Sequence, residues 1–487
     1  MMLTVTKHQS NETESNRLVI VSNRLPITLS RESMGHWDVQ PSIGGLVTAL
    51  RPILRARGGL WIGWLGIREK VNLDKLLAIA SRHLDCTLTP VSLTEKEVNL
   101  YYFGFSNEII WPLFHDLQTR CNFDPAYWKA YQRVNQKFAQ VIVENSEMGD
   151  YIWVHDYHLM LVAKELRSIG VENKLGFFLH TPFPPPDIFA KLPWYRRILE
   201  DLLEYDLLGF QTPRDRNNFL QCIEVMLKGL RVDARRKVSM ITTPKRLVGA
   251  GSFPISIDFR EFTHQAASEV VAEGTKRLRQ ALPNQQMILG VDRLDYSKGI
   301  PEKLRAFKYA LTHFNSLRGK VSLIQIVVPS REDISEYQAL RVEIEGLVSE
   351  INGKFTLPGW IPVHYMYRSF GRTALLAYYR AADIALIVPL KDGMNLVAKE
   401  YCATRIDKSG VLILSDFAGA ASQLHKYSLL VNPYDIEGVA NAIYQAYKMG
   451  PDEKQRRMRK LRQSVAKRDI FWWVDFFFRT AFNMKRL

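Results

Sequence analysis

Arg293 and Lys298 stand on one short stretch, DRLDYSKG (292–299), directly after an apolar run. Two cations on one loop suit a diphosphate, the guanidinium as a planar fork and the ammonium as a point charge. A second stretch, PLKDGMNLVAKE (389–400), also follows an apolar run. Asp392-Gly393 starts a turn there, and Met394, Asn395, Leu396 and Val397 open a helical pattern whose free N–H groups could hold phosphate or sugar hydroxyls. Glu400, one or two turns further on, suits the acceptance of hydrogen bonds from a ribose diol; its bland reading is a solvated helix residue. HDYH (155–158) and HTPFPPP (180–186) close two other apolar runs. The first sets Asp156 between imidazoles. The second fixes His180 beside four prolines in a rigid loop. Zinc at HDYH lacks evident further ligands. Gly44-Gly45 begins a helical stretch and could admit a phosphate to backbone N–H groups, although paired glycines also make plain turns. Arg331 ends another apolar run and is a further anion contact. Arg24 lies at the end of the first. Tyr102 and Trp111 belong to YYFGFSNEIIWP (101–112), an aromatic stretch without amphipathic period that suits sugar C–H faces or a core.

These loops need elements behind them. Short apolar runs recur at 18–22, 151–154, 175–179, 207–209, 288–291, 323–328, 384–388 and 411–414, with helical patterns between them at 125–145, 300–313 and 335–351. Runs without polar alternation predict strands buried on both faces of a parallel sheet. The alternation with helices predicts an α/β chain. GAGSFPISIDFRE (249–261) is the natural boundary. The expectation is two doubly wound, Rossmann-like domains over 17–255 and 256–455 facing a cleft, a polar aperiodic tail at 1–16 and a helical segment at 456–487. Ligands of such sheets gather at the carboxyl ends of the strands, where all these loops fall.

Composition narrows the partners. The chain has 487 residues, 65 Lys and Arg against 50 Asp and Glu, and a net charge of +15. That balance suits anionic small molecules; no nucleic-acid recognition motif accompanies it. No run is long and apolar enough for a membrane span or a signal peptide, and the aromatic run at 471–478 reads as a docked helix. Cys86, Cys121, Cys222 and Cys402 are scattered, which argues against a zinc site or a disulfide framework and fits a reducing cytoplasm. Nothing in the sequence decides between a monomer and a homo-oligomer. GxGxxG is absent, which disfavours a dehydrogenase.

The strings VSNRLP, WPLFH, WVHDYHLML, GFFLHTPFP, DLLGFQT, RLDYSKGIPEKL, INGKF, DGMNLVAKEY and LSDFAGAA, spread over about 18–473, resemble the trehalose-6-phosphate synthases of glycosyltransferase family 20. The resemblance implies the GT-B arrangement, with an acceptor-binding first domain, a nucleotide-sugar-binding second domain and a C-terminal helix crossing back to the first. It implies a retaining transfer of glucose from UDP-glucose to glucose 6-phosphate. The leaving diphosphate itself takes the acceptor's proton, and no metal or cofactor is needed. It places Arg293 and Lys298 at the diphosphate and the Gly44-Gly45 loop over the same phosphates. His180 falls near the 6-hydroxyl of the donor glucose, Asp392 and Gly393 to Leu396 at the glucose hydroxyls, and Glu400 at the ribose. Asp156 meets the acceptor sugar, and Arg24, Tyr102, Trp111 and Arg331 receive the acceptor, the arginines taking its phosphate. The sequence departs from the family pattern at Lys391, Ser256 and Gln423, where arginine, glycine and glutamate are frequent. A synthase using glycerol 3-phosphate as acceptor, and a silent sensor of sugar phosphates, are the rival readings.

Overall fold

The computed structural model describes residues 17–31, 37–41, 50, 54, 59–67, 74–84, 86–330 and 334–483. The expected tail at 1–16, the Gly44-Gly45 loop and Arg331 lie outside them. The first part of the chain supplies β1 (Leu18–Arg24), β2 (Ile27–Arg31), β3 (Trp37–Pro41), β4 (Leu60–Trp64), β5 (Thr87–Val91), β6 (Tyr151–His155), β7 (Lys174–Phe178), β8 (Leu207–Phe210), β9 (Arg231–Asp233), β10 (Val238–Thr242) and β11 (Leu247–Ser252). The second supplies β12 (Gln286–Arg293), β13 (Val321–Val328), β14 (Val363–Tyr367), β15 (Ile384–Ile387), β16 (Val411–Ser415) and β17 (Leu429–Val431).

Two large sheets result. The first runs β5-β4-β1-β6-β7-β8-β11-β10-β9, and the second β14-β13-β12-β15-β16-β17. Every ladder of the second is parallel. In the first, β10 is antiparallel to both neighbours, so a hairpin edge extends an otherwise parallel sheet. β2 and β3 form a separate antiparallel pair. In both large sheets the order reverses beside the first strand, β1 or β12, and such switch points open a crevice at the strands' carboxyl ends.

The helices follow the local signals. Pro125–Asn145 begins at Asp124, whose carboxylate accepts from Ala126 N at 2.7 Å, with proline in the first turn where no N–H is missed. The aromatic stretch Val98–Ile110 is wound as a π-helix; just beyond it, Trp111 N–H donates to Ser106 O, five residues back. That wider winding is why no 3.6-residue period shows in its sequence. The C-terminal segment is two helices rather than one, Pro451–Lys467 and Ile470–Asn483. The break is built: Asp469 accepts from Trp472 N at 3.0 Å, and Ile470 N–H donates to Ile257 O at 3.0 Å.

The last helix ties the chain's end to the first sheet. Phe477, fully buried, stacks on Trp153 with centroids 4.4 Å apart, and Trp473 Nε1 donates to Phe253 O at 2.9 Å. Its seat is cut by Gly176 and Gly209 on adjacent strands, where a Cβ would come within 3.2 and 2.9 Å of the Phe477 ring. Burying a ring of that size contributes about 1.5–3 kcal/mol.

Candidate active site

The loops that leave the strand ends of the two sheets meet one another. From the first sheet come Asp156 after β6, His180 after β7 and Gln211 after β8. Asp156 has φ 74 and ψ 167, a conformation that costs a non-glycine residue about 1–3 kcal/mol. It is held there by what it accepts: His180 N donates to Asp156 Oδ1 at 3.2 Å, and the N–H groups of Tyr157 and Thr181 also point at the carboxylate. Burial pushes its pKa up to about 6, opposed by those N–H groups and by the charge of Arg293. His180 is driven down to about 3 by burial, so its ring is neutral. Its Nε2 lies 3.1 Å from His155 Nδ1 and its Nδ1 lies 3.5 Å from Gln211 Nε2.

Around β1 lies an aromatic cradle. The exposed Arg24 guanidinium sits 4.1 Å over Trp64 and 5.4 Å over Tyr102. Tyr102 in turn stacks on His158 at 6.0 Å. A stacked arginine keeps its N–H fork free for a planar or tetrahedral anion.

From the second sheet, Arg293 ends β12 and Lys298 closes the one-turn helix that follows. Each is held by a carboxylate: Arg293 Nη2 donates to Asp295 Oδ2 at 2.9 Å and Lys298 Nζ to Asp392 Oδ2 at 2.6 Å. Asp295 also accepts from Ser297 N and Oγ at 3.0 and 2.8 Å. Burial works against the Asp392 carboxylate, but Lys298 beside it, His115 and the Met394 N–H together outweigh that, and its pKa lies below the ordinary value. Asn395, at φ 70, caps the helix Leu396–Thr404: its side chain accepts from Ala398 N at 3.3 Å, and its amide donates to Asp392 Oδ2 at 3.2 Å. One helical turn on, Glu400 accepts from Tyr379 Oη at 2.9 Å, and burial raises its pKa.

Contacts across the gap are direct. Trp111 Nε1 donates to Asp295 Oδ1 at 3.4 Å, and Arg293 lies 5.3 Å over the Trp111 ring. Lys391 pairs with Asp116 of the first domain. Gly393 packs on the backbone of His180, where a Cβ would stand 2.0 Å from the carbonyl oxygen. So Trp111, Asp156, His180, Arg293, Lys298 and the 392–395 loop form one site between the domains. Arg24 and Tyr102 flank it through His158, which packs on Tyr157 at 3.9 Å, and Tyr157 lies 5.9 Å from Trp111. A cavity of about 350 Å³ opens between the domains beside Asp392, lined also by Thr212, Arg214, Lys391, Phe417 and His425. None of His180, Arg293, Lys298 and Glu400 lines it, so it adjoins the site without containing it.

The sequence pattern of glycosyltransferase family 20 matches residues 16–483. The chain belongs to that family. This family 20 chain is 41% identical over 464 residues to the trehalose-6-phosphate synthase of Mycolicibacterium vanbaalenii, covering 94% of each. It superposes with a TM-score of 0.86 and 35% identity on the Burkholderia xenovorans alpha,alpha-trehalose-phosphate synthase (UDP-forming) solved with glucose-6-phosphate, over 96% of this chain and 100% of that one. An E. coli trehalose-6-phosphate structure bound with UDP-2-fluoro glucose matches with a TM-score of 0.85 and 38% identity, over 96% and 99%. The family 20 chain is thus an α/β glycosyltransferase of the GT-B kind. Among its described residues no helix is long and apolar enough to cross a membrane, and no group of three His, Cys, Asp or Glu side chains is placed to hold a metal.

The departures from the family pattern have definite places in this family 20 chain. Lys391 spans the domains to Asp116. Ser256 is fully buried with an unpartnered hydroxyl in the interdomain segment. Gln423 donates to Ser464 O at 2.8 Å and belongs to the contact with the penultimate helix. Several residues of the site gave no chemical signal of their own in the sequence. His115 is buried against Trp111 O at 2.7 Å with its pKa pushed down to about 4, and it faces Asp295, Lys298 and Asp392. Asp295 and Gln211 are the others. Asp295 stands two residues after Arg293, a spacing that could have marked it as a partner; Gln211 carried no such mark, since it reaches His180 only through the fold.

Proposed function

We propose that this chain transfers glucose from UDP-glucose to glucose 6-phosphate with retention, giving alpha,alpha-trehalose 6-phosphate and UDP. The observation that carries the reading is the meeting of Arg293, Lys298 and the 392–395 loop of one domain with Trp111, Asp156 and His180 of the other. Relatives of the same architecture hold glucose-6-phosphate and UDP-2-fluoro glucose. On this reading Arg293 and Lys298 grip the diphosphate, closed over by the Gly44-Gly45 loop. Asp392, Asn395 and the N–H groups of 393–397 hold the donor glucose beside His180. Glu400 takes the ribose, and Asp156 the acceptor sugar. Arg24, Tyr102, Trp111 and Arg331 receive the acceptor, the arginines taking its phosphate.

The bond from the glucose anomeric carbon to the diphosphate breaks while the acceptor's anomeric oxygen attacks from the same face. The acceptor's proton passes to the leaving phosphate oxygen. Charge growing on that oxygen is met by two fixed cations, which is the term with the largest effect in such transfers. The two-domain grip supplies the orientation. No step calls on a metal ion or cofactor, so a chelator is expected to leave turnover intact.

The test is UDP release from UDP-glucose with glucose 6-phosphate or glycerol 3-phosphate as acceptor, with the product identified by mass and by its lack of a reducing end. Turnover with glucose 6-phosphate to a non-reducing phosphorylated disaccharide is expected. Preference for glycerol 3-phosphate would overturn the acceptor. No turnover with UDP-, ADP- or GDP-glucose would overturn the enzyme reading.

A further inference from the structure

We infer that Gln211 is a positioning residue that fixes which nitrogen of His180 carries the proton, through the interdomain segment that it also holds. Gln211 follows β8 and is 1% exposed. Its Oε1 accepts from Ile255 N at 3.0 Å. A backbone N–H can only donate, so the carboxamide has one orientation, with Nε2 turned to His180 Nδ1 at 3.5 Å.

The rest follows from donor and acceptor bookkeeping. An amide NH₂ can only donate, so His180 Nδ1 is the acceptor and bears no proton. The ring is neutral, and its proton is therefore on Nε2. That N–H points at His155 Nδ1, 3.1 Å away, which must accept. His155 then carries its own proton on Nε2, a buried atom without a protein partner. The reverse arrangement, with His155 Nδ1 donating, would leave His180 protonated on Nδ1 and set two donors head to head at Gln211. A backbone amide of the interdomain segment thus decides the hydrogen-bonding face of a ring 75 residues away in sequence.

Ile255 is gripped from the other domain as well. Its carbonyl accepts from the fully buried Lys399 Nζ at 2.6 Å, and Lys399 precedes Glu400 on the helix capped by Asn395. One residue therefore links the His180 ring to the helix behind the 392–395 loop. The inference rests on the reading of His180 as a donor-sugar contact. Both ring nitrogens are then engaged, Nε2–H with His155 and Nδ1 with Gln211, so the ring offers an arriving sugar hydroxyl no free lone pair.

The experiment uses the full chain with ¹⁵N-labelled histidine, His180 being assigned by the signal lost in His180→Asn. Protonated and bare ring nitrogens resonate far apart. In the unaltered protein His180 is expected to be protonated at Nε2 only, without titration between about pH 5 and 8, and His155 likewise at Nε2. A proton on His180 Nδ1 in that protein overturns the inference, whatever any variant does. In Gln211→Glu the carboxylate still accepts from Ile255 N–H but turns an acceptor towards His180. A proton should then move to Nδ1, and the pKa of His180 should rise by about 1–3, as beside any opposite charge in contact. The ring is otherwise faced by His155 and by the apolar Phe178 and Trp473, while Asp156 accepts only its backbone N–H. kcat/KM for UDP-glucose should fall in this variant and gain a new dependence on pH. Unchanged ring signals and an unchanged pH profile would show that Gln211 is merely structural. Ring signals as expected, with no turnover on any glucosyl donor, would uphold the tautomer and sink only the reading of the donor site.

Discussion

Gly393→Ala tests whether the two domains must touch at this site. The added Cβ would lie 2.0 Å from the His180 carbonyl oxygen and 3.0 Å from its carbon. Both atoms are backbone, so no flexible side-chain tip can swing aside. Ordinary contact begins near 3.4 Å, and the loop and the 180–181 backbone must therefore part by about 1.4 Å. That gap opens between the groups assigned to the donor sugar. A misplacement of about 1 Å in a positioned reaction costs on the order of 10²-fold in rate. Initial-rate assays with UDP-glucose and glucose 6-phosphate should show kcat reduced by that factor or more. The melting temperature should barely move, because the displaced contact lies between domains and not within a core. Gly419→Ala makes the contrast: its Cβ would stand 1.8 Å from Gly393 O, inside one domain, and should lower both kcat and melting temperature. A Gly393→Ala enzyme within about threefold of the parent, less than 1 kcal/mol of barrier, would refute the idea that this approach orients the reactants.

Three further substitutions separate charge from packing. Arg293→Ala should lower kcat/KM by about 10²- to 10³-fold, the range for removing one preorganised donor to a growing charge; the chain should stay folded, since Asp295 keeps Ser297 N, Ser297 Oγ and Trp111 Nε1, and circular dichroism checks this. Asp156 holds its proton up to about pH 6 in the folded chain, against an ordinary 3.8, so the stability it contributes at low pH is lost as pH rises through 6. Asp156→Asn should therefore stabilise the free protein by on the order of 1–3 kcal/mol at pH 8, a gain that shrinks between about pH 6 and 4 and is small below the ordinary 3.8 in urea titrations, while weakening the acceptor. Lys399 is depressed by burial from 10.5 to about 7, so the unfolded chain holds a proton there that the folded one releases, and stability should climb with pH between those values by up to about 1.4 kcal/mol per pH unit. Lys399→Met should flatten that climb, and a parallel pH dependence of parent and variant would show that the ammonium is not desolvated.

What could be read in advance divides along physical lines. Strands covered on both faces, such as β6, β7, β12 and β16, are uninterrupted apolar runs and stand out at once. The edge strands β9 and β14 do not, because Arg231–Asp233 and Val363–Tyr367 are partly exposed and lack such a run. The π-helix Val98–Ile110 hid itself by having a period that neither the helical nor the strand template matches. The site followed the same division. A parallel sheet aims every strand-end loop at one crevice, so Asp156, His180, Arg293 and Asp392 could be named from their positions alone.

Their partners could not be named in this way, because partnership depends on three-dimensional closure. Lys298 meets Asp392 across 94 positions and Trp111 meets Asp295 across 184. Sequence periodicity carries no information at such distances. The same holds for Gln211, an unremarkable polar residue until the fold sets its two ends against Ile255 and His180. A strand-end position tells where a side chain goes, whereas its protonation, charge state and reach depend on the residue that another loop or the opposite domain brings to it. In this chain another strand-end loop of the same domain brings a carboxylate to Lys298, and the opposite domain brings an indole to Arg293 and a glycine backbone to His180. Each of these contacts crosses between domains or strand-end loops, and each is where a single substitution should alter turnover before it alters folding.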